Sequence, residues 1–208
     1  MRGLIGCEVS GIVRRAFLAL GYDVFSCDVK PAEDGSNRHI VCDVRELLHD
    51  RWDFLFVAHP PCTRLCNSGV RWLHKAPPGR TLDDMHAELR DGAALFSDCW
   101  NAPIDCIAVE NPVMHRHAKA LIRNFVLHSQ SVQPWQFGDA ESKRTCFWLK
   151  SLPPLVPTIA EKPSEVAARV WRMPPGPNRQ AERSRFFPGI AAAMAAQWGP
   201  VAMGRAAA

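Results

Sequence analysis

Cys62 stands directly after two prolines at the end of an apolar run, WDFLFV, in the stretch AHPPCTRLCNSG. Proline donates no backbone hydrogen bond and fixes its own φ, so Pro60-Pro61 ends a strand and holds Cys62 in a stiff loop. A thiol held this way is either a nucleophile or one more buried cysteine. The following TRLCNSG is polar and contains a glycine, as a loop that closes over a site does. Glu110, in VENP, ends a second apolar run at what is predicted to be the same sheet edge. A thiolate beside a carboxylic acid suits addition to an electron-poor ring, the acid hydrogen-bonding or protonating the ring nitrogen as sulfur adds. A protease would need a histidine base, and the sequence does not say where His59 points. In the plainer reading Asn111 and Pro112 only shape a turn.

A second group of candidates precedes this one. GCEVSG is a glycine-bounded turn between a short apolar run and a helix, and Gly11 would let a ligand approach the helix N-terminus. Asp28 follows about 20 residues later, where an acid commonly accepts ribose hydroxyls; its alternative role is a loop carboxylate or helix cap. The pair suggests a nucleoside cofactor, without separating a nicotinamide from S-adenosylmethionine. For Cys7, Cys27, Cys42, Cys99, Cys106 and Cys146 the ordinary expectation is burial.

The elements that must position these residues alternate between strand and helix. Residues 3–7, 22–28, 39–43, 53–58 and 104–110 read as strands; residues 11–20, 82–99 and 117–127 read as helices. Arg14 and Arg15 are expected on the outer face of the first helix. The alternation predicts an α/β fold with a mostly parallel, doubly wound sheet. In such a sheet ligands sit at the carboxyl ends of the strands, where Glu8, Asp28, Asp43, Cys62 and Glu110 all fall. Residues 1–150 are expected to form the core and 151–185 a short, irregular, proline-rich segment. Residues 186–199, FFPGIAAAMAAQWG, are expected to form an alanine-rich helix packing back on the core. The tail GRAAA is read as frayed chain and set aside.

At 208 residues and 47% hydrophobic content the chain has enough apolar surface for one domain with a core. No apolar run is long enough to span a membrane and no signal peptide is apparent, so a cytoplasmic, soluble protein is expected. The eight cysteines show neither zinc spacing nor a disulfide framework, so no metal is expected. A net charge of +4 permits a polyanionic partner without requiring one.

The order of these features resembles the DNA cytosine-5 methyltransferase family. PPCTRLCNSG is similar to its Pro-Cys catalytic loop, including Ser68-Gly69, and VENP to its Glu-Asn-Val motif with Pro112 in place of valine. ESKRTCFWL resembles its Gln-x-Arg-x-Arg segment, with Glu141, Lys143 and Thr145 at the three polar positions. FPGIAAAMAAQWG looks like the last, cofactor-side helix, without the usual asparagine. The resemblance implies a Rossmann-like, S-adenosylmethionine-dependent methyltransferase fold acting on carbon 5 of cytosine in duplex or single-stranded DNA.

It also implies residue roles. Cys62, Glu110 and Lys143 would be catalytic. Gly6, Cys7, Glu8, Gly11, Asp28, Val29, Asp43, Val44 and Pro61 would bind the cofactor, with Asp28 on the ribose and Asp43 on the adenine amine. Pro61, Thr63, Arg64, Ser68, Asn111, Arg144 and Thr145 would bind substrate, and Arg71 and Lys75 are further candidates for phosphate contacts. Only residues 150–185 are available where the family carries a large target-recognition region. Three alternatives therefore stay open: the same chemistry on a free cytidine nucleotide or RNA, a catalytically silent nucleic-acid-binding protein, and a nicotinamide oxidoreductase. The sequence leaves the oligomeric state undetermined.

Overall fold

The computed structural model describes residues 2–52, 54–174, 176 and 179–207. Asp53, at the start of one expected strand, lies outside the described residues, as do Met1, Pro175, Pro177 and Asn178 of the proline-rich stretch, and Ala208 of the tail.

Runs of consecutive apolar residues make the central strands: β1 (Gly3–Gly6) and β4 (Leu55–Ala58) are buried at every position, as strands covered on both faces must be. Around them lie β2 (Val24–Asp28), β3 (His39–Val41), β5 (Ile107–Asn111), β6 (Gln130–Val132) and β7 (Thr145–Lys150). The seven strands form one sheet in the order β3-β2-β1-β4-β5-β7-β6. Strands β1 to β5 pair in parallel, and β7 runs antiparallel between β5 and β6. This is the mostly parallel, doubly wound Rossmann-like sheet expected from the sequence.

Helices cover both faces. On one side α1 (Ile12–Ala19) and α6 (Pro188–Ala206) pack Val13, Phe17, Ile190, Met194 and Trp198 against Ile5, Val57 and Ala108. On the other, α2 (Leu82–Trp100) and α3 (Arg116–Leu121) place Met85, Leu89, Phe96 and Ala118 against Leu4, Phe56, Ile107 and Val109. Helix α2 starts with a reciprocal capping box between Thr81 and Asp84, which satisfies two of its unpaired N–H donors. Two short helices, α4 (Arg169–Arg172) and α5 (Arg179–Ser184), interrupt the otherwise irregular proline-rich segment.

Four sequence expectations change. Arg14 is not on the outer face: its side chain is buried, donating to Ser26 Oγ at 2.6 Å and to Asp34 Oδ2 at 2.5 Å. The helix after β5 ends at Leu121, because Ile122 is extended and Asn124 is left-handed. Tertiary bonds hold that turn open, Trp100 Nε1 donating to the Asn124 carbonyl and Asn101 Nδ2 to that of Arg123. The third strand stops at Val41, and Asp43 instead caps a single 3-10 turn at Val44–Glu46. Helix α6 continues past Gly199 through Pro200 and most of the GRAAA tail. Gly199 lets it cross Tyr22 closely, since a Cβ there would stand 2.3 Å from the phenol ring.

Candidate active site

Sheet register sets the first level of the site. Gly6 pairs with Cys27 on one side and Ala58 on the other, and Ala58 pairs with Val109. The next residues, Asp28, Cys7, His59 and Glu110, therefore stand in one row across the carboxyl edge of β2, β1, β4 and β5. That is the edge at which doubly wound sheets bind ligands. In this row His59 Nδ1 lies 3.5 Å from Glu110 Oε2. Phe186, which precedes α6, lies against the imidazole at 4.5 Å between ring centres. Among the described residues, both ring nitrogens of His59 and the Asn111 Oδ1 are buried without a hydrogen-bond partner. Leaving such atoms unpaired costs about 1–3 kcal/mol each, a cost proteins tolerate where a ligand is to be met.

Beyond the row, the Pro-Cys loop is fastened to the chain after β5. Asn111 Nδ2 donates to the Pro60 carbonyl at 2.8 Å. His115 N donates to the Leu65 carbonyl, and its Nε2 meets the Arg64 carbonyl at 2.6 Å while Nδ1 caps α3 by accepting from Ala118 N. Cys66 and Met114 form an isolated antiparallel bridge, and Asn67 N donates to the Val113 carbonyl. The loop closes on itself at Gly69, where a Cβ would stand 2.1 Å from the Thr63 carbonyl oxygen. Asn111 and His115 thus join the loop carrying Cys62 to the strand carrying Glu110.

Cys62 turns back into this junction. The Leu65 and Cys66 amides both donate to its carbonyl, at 3.0 and 3.1 Å, which closes one helical turn between Cys62 and Cys66. The hydrogen bond with Cys66, burial and the nearby Glu110 charge raise the Cys62 pKa, and Lys143 opposes them. Cys66 moves the other way, down to about 5, through the hydrogen bond from Cys62 and further donation by Ser68 and the Gly69 amide, against burial. The Cys66 Sγ to Ser68 Oγ distance is 3.1 Å. Lys143 is held by the Arg183 carbonyl at 2.9 Å and lies over the Phe187 ring.

The other half of the row has a different chemistry. Glu8 is buried, and its carboxylate accepts from Val13 N at 2.6 Å and Arg14 N at 3.2 Å, while Ser10 Oγ accepts from Ile12 N at 3.4 Å. The first-turn amides of α1 are thus all paired within the protein. Cys7 adopts a left-handed φ of 58°, and its thiol pKa is raised well above the usual range by a hydrogen bond with Cys99, by burial and by Asp28 and Asp43. Asp28 accepts from Lys30 N through Oδ1 and pairs its Oδ2 with no described residue. Asp43 faces the same region but is engaged by the Arg45 guanidinium, which lowers its pKa.

The structure thus gathers Cys62, Ser68, Glu110, Asn111 and Lys143 on one side and Cys7, Glu8, Asp28 and Asp43 on the other. Pro61 and Thr63 are exposed beside Cys62, Val29 is 68% exposed beside Asp28, and Arg144 is exposed before β7. Val44 and Thr145 are buried, Val44 beside Gly6 and Thr145 with its hydroxyl donating to the Lys143 carbonyl at 3.1 Å. Arg64 is drawn away by Glu88, at 2.6 Å. Both glycines have reasons within the protein: a Cβ on Gly6 would stand 2.8 Å from Val44, and Gly11 is left-handed with Arg14 where its Cβ would be. Sequence reasoning missed Cys66, His115 and Phe186. The four-residue spacing of Cys62 and Cys66 was the available signal for the first.

No family model matches the chain, and no curated protein matches it in sequence. Among solved structures it is similar to a prophage-encoded Escherichia coli protein described as a DNA modification methyltransferase, at 13% identity and a TM-score of 0.46, covering 78% of this chain and 52% of that one. It is also similar to the Entamoeba histolytica methyltransferase EhMeth, at 12% identity and a TM-score of 0.47, covering 79% of this chain and 57% of that one. The chain spans just over half the length of either structure. At that level of likeness, function rests on the residues of this chain. Among the described residues no cluster could hold a metal ion and no helix is long and apolar enough to cross a membrane.

Proposed function

We propose that the protein transfers a methyl group from S-adenosylmethionine to carbon 5 of cytosine in DNA through a covalent adduct of Cys62. The observation that carries this reading is the juxtaposition of Cys62 with Glu110 and Lys143 at the carboxyl edge of the sheet, in loops fastened to each other by Asn111 and His115. His59, after β4, and Asn111, at the end of β5, carry buried polar atoms with no hydrogen-bond partner among the described residues.

The cofactor half fits the same reading. A pyrophosphate would seek the amides at the start of α1, but Glu8 and Ser10 already occupy them and Glu8 adds negative charge. That disfavours a nicotinamide dinucleotide and suits a cofactor with a cationic sulfonium. Asp28, with a carboxylate oxygen to offer, would hold the ribose, and Cys7, Glu8 and Gly11 would face the amino-acid end. When bound, S-adenosylmethionine supplies an electrophilic methyl group.

The protein's own groups do the rest. Cys62 adds to carbon 6, which makes carbon 5 nucleophilic. Glu110 hydrogen-bonds ring nitrogen 3 and the exocyclic amine, drawing electrons from the ring as sulfur attacks. Lys143 steadies negative charge at the sulfur. Loss of the carbon 5 proton after methylation expels Cys62 and restores the ring. In a duplex the base must first leave the stack, at a cost of a few kcal/mol. Exposed Arg144 and Arg172 around the short segment would offset it at phosphates.

One observation favours a second reading, in which a free cytidine nucleotide is the substrate. Phe186 and Phe187, where the short segment ends, wall in His59 and Lys143. Transfer of labelled methyl to duplex DNA, single-stranded DNA, RNA and cytidine nucleotides, by the wild type and Cys62→Ala, separates the two. Transfer to DNA that Cys62→Ala abolishes is the expected result. Transfer to nucleotides alone favours the second reading, and cofactor binding without transfer to any substrate refutes both.

A further inference from the structure

His59 has no part in the chemistry derived so far, and the structure shows where it points. Its amide extends β4 by one rung, donating to the Gly6 carbonyl at 3.0 Å. Ala58 pairs with Val109 in the parallel register, so His59 and Glu110 are the next residues on neighbouring strands. Successive side chains of a strand point to opposite faces, and Val57 and Ala108, two residues back, pack on the side of α1 and α6. His59 and Glu110 therefore leave the sheet on that same face. Phe186 covers the imidazole, and the two side chains are only 11% and 13% exposed. His59 Nδ1 lies 3.5 Å from Glu110 Oε2, and among the described residues neither ring nitrogen makes a hydrogen bond and no other side chain forms an ion pair with Glu110.

We propose that His59 is the positioning partner of Glu110, holding its carboxylate by charge and supplying the proton that Glu110 gives to the pyrimidine. The proposal rests on the methyltransferase reading above. Before attack, the His59 imidazolium and the Glu110 carboxylate share one proton. As the Cys62 thiolate bonds to carbon 6, the ring electrons move onto nitrogen 3, which takes that proton through the Glu110 carboxyl and leaves the imidazole neutral. The cofactor's methyl group then joins carbon 5 and the carbon 5 proton leaves to solvent. Nitrogen 3 finally returns its proton through Glu110 to His59, the ring double bonds are restored, and the Cys62 thiolate departs.

The surroundings suit that role. An enclosed carboxylate needs a partner to stay charged. Lys143 is turned to the Arg183 carbonyl at 2.9 Å and to the Phe187 ring, and Arg144 is exposed, so the imidazole is the cation left for Glu110. The other ionisable groups near the pair are Cys7, on the rung beside His59, and Cys62, whose thiol feels both Glu110 and Lys143. On the α1 side Glu8 is engaged by the helix amides and Arg14 by Asp34, while the chain before α6 brings the apolar rings of Phe186 and Phe187. A separation of 3.5 Å is long for a hydrogen bond, as catalytic contacts often are before the substrate arrives.

The test times formation of the covalent complex. Full-length protein in excess is mixed with S-adenosylmethionine and DNA whose cytosines are all 5-fluorocytosine, and the adduct is followed on denaturing gels from about pH 5.5 to about pH 9. In the wild type the rate should level off with rising pH, because each gain in Cys62 thiolate is then matched by a loss of imidazolium. His59→Asn puts an amide that cannot ionise in the place of Nδ1. It should be slower at about pH 6 by roughly tenfold to a hundredfold and keep rising with pH where the wild type is level. His59→Gln decides the matter if circular dichroism shows that the asparagine variant does not fold. Imidazole added to His59→Ala should restore part of the rate and level its profile, which a packing role does not do. A profile of wild-type shape in a folded His59→Asn or His59→Gln overturns the proposal. The absence of any adduct in the wild type would refute the functional reading and the proposal with it, whereas an adduct that forms with the same pH profile in wild type and variants would refute the role of His59 alone.

Discussion

Glu8 gives the most quantitative test of how the site is built into the fold. Its carboxylate is 4% exposed and takes two amides of the first turn of α1, Val13 N at 2.6 Å and Arg14 N at 3.2 Å. Truncation in Glu8→Ala strands two buried donors, each costing about 1–3 kcal/mol when left unpaired. It also removes a negative charge from the helix N-terminus, worth about 0.3–1 kcal/mol. Water entering the space left behind recovers part of this, so a net loss of about 3 kcal/mol is expected. For a chain of this size that corresponds to a fall of roughly 6–12 °C in Tm. Glu8→Gln keeps a single acceptor oxygen and should lose about half as much. Urea and thermal unfolding followed by circular dichroism measure both. A Tm for Glu8→Ala within about 2 °C of wild type would refute the capping role, and with it the claim that the protein itself fills the anion site of α1. Because the Glu8 charge is also held to suit a cationic cofactor, Glu8→Gln should weaken S-adenosylmethionine binding more than that of its neutral demethylated product, read by calorimetry.

Asp34 should link stability to acid. The buried Arg14 guanidinium and Arg15 hold its pKa down at about 2, against an ordinary value of 3.8. A pKa lowered by folding stabilises the native state above the ordinary value and is lost as pH falls through the lowered one. Solvent screening of this exposed carboxylate leaves a loss of about 1 kcal/mol between roughly pH 4 and pH 2, and Asp34→Asn should flatten that part of a urea-midpoint profile. Asn111→Ala removes the bond to the Pro60 carbonyl and should cost about 1–3 kcal/mol of stability, with kcat falling further than the loss of folded protein explains. Gly69→Ala forces the Thr63 carbonyl to move, because a Cβ would stand 2.1 Å from it. It should cut kcat by roughly tenfold or more through misplacement of Cys62, while far-ultraviolet circular dichroism stays unchanged.

The row of strand ends was legible because it depends only on where apolar runs stop. LFVA before the prolines and IAV before Glu110 mark the sheet edge without any knowledge of side-chain direction. What lay past the ends was less legible. Glu8 reads equally well as a ligand residue or a cap, since its role depends on the left-handed turns at Cys7 and Gly11 that swing it onto α1. Arg14 reads as surface until Ser26 and Asp34, one on β2 and one in a distant loop, are brought to it. That Val44 and Thr145 are both buried was not legible from their positions along the chain. The short helix α3 stops before its periodicity does, where side chains from the end of α2 capture the carbonyls of Arg123 and Asn124 just beyond it. For Arg14 and for the end of α3, a contact distant in sequence outweighed the local pattern.

The central claim is that Cys62 forms a covalent bond to a cytosine ring. It is tested most directly by incubating the protein with S-adenosylmethionine and DNA containing 5-fluorocytosine, whose fluorine blocks the elimination that frees the enzyme. After nuclease and tryptic digestion, mass spectrometry should find a methylated fluorocytosine nucleotide attached to the peptide of residues 52–64 at Cys62, and none in Cys62→Ala. Efficient methyl transfer to DNA by Cys62→Ala, or an adduct at any other residue, would contradict it.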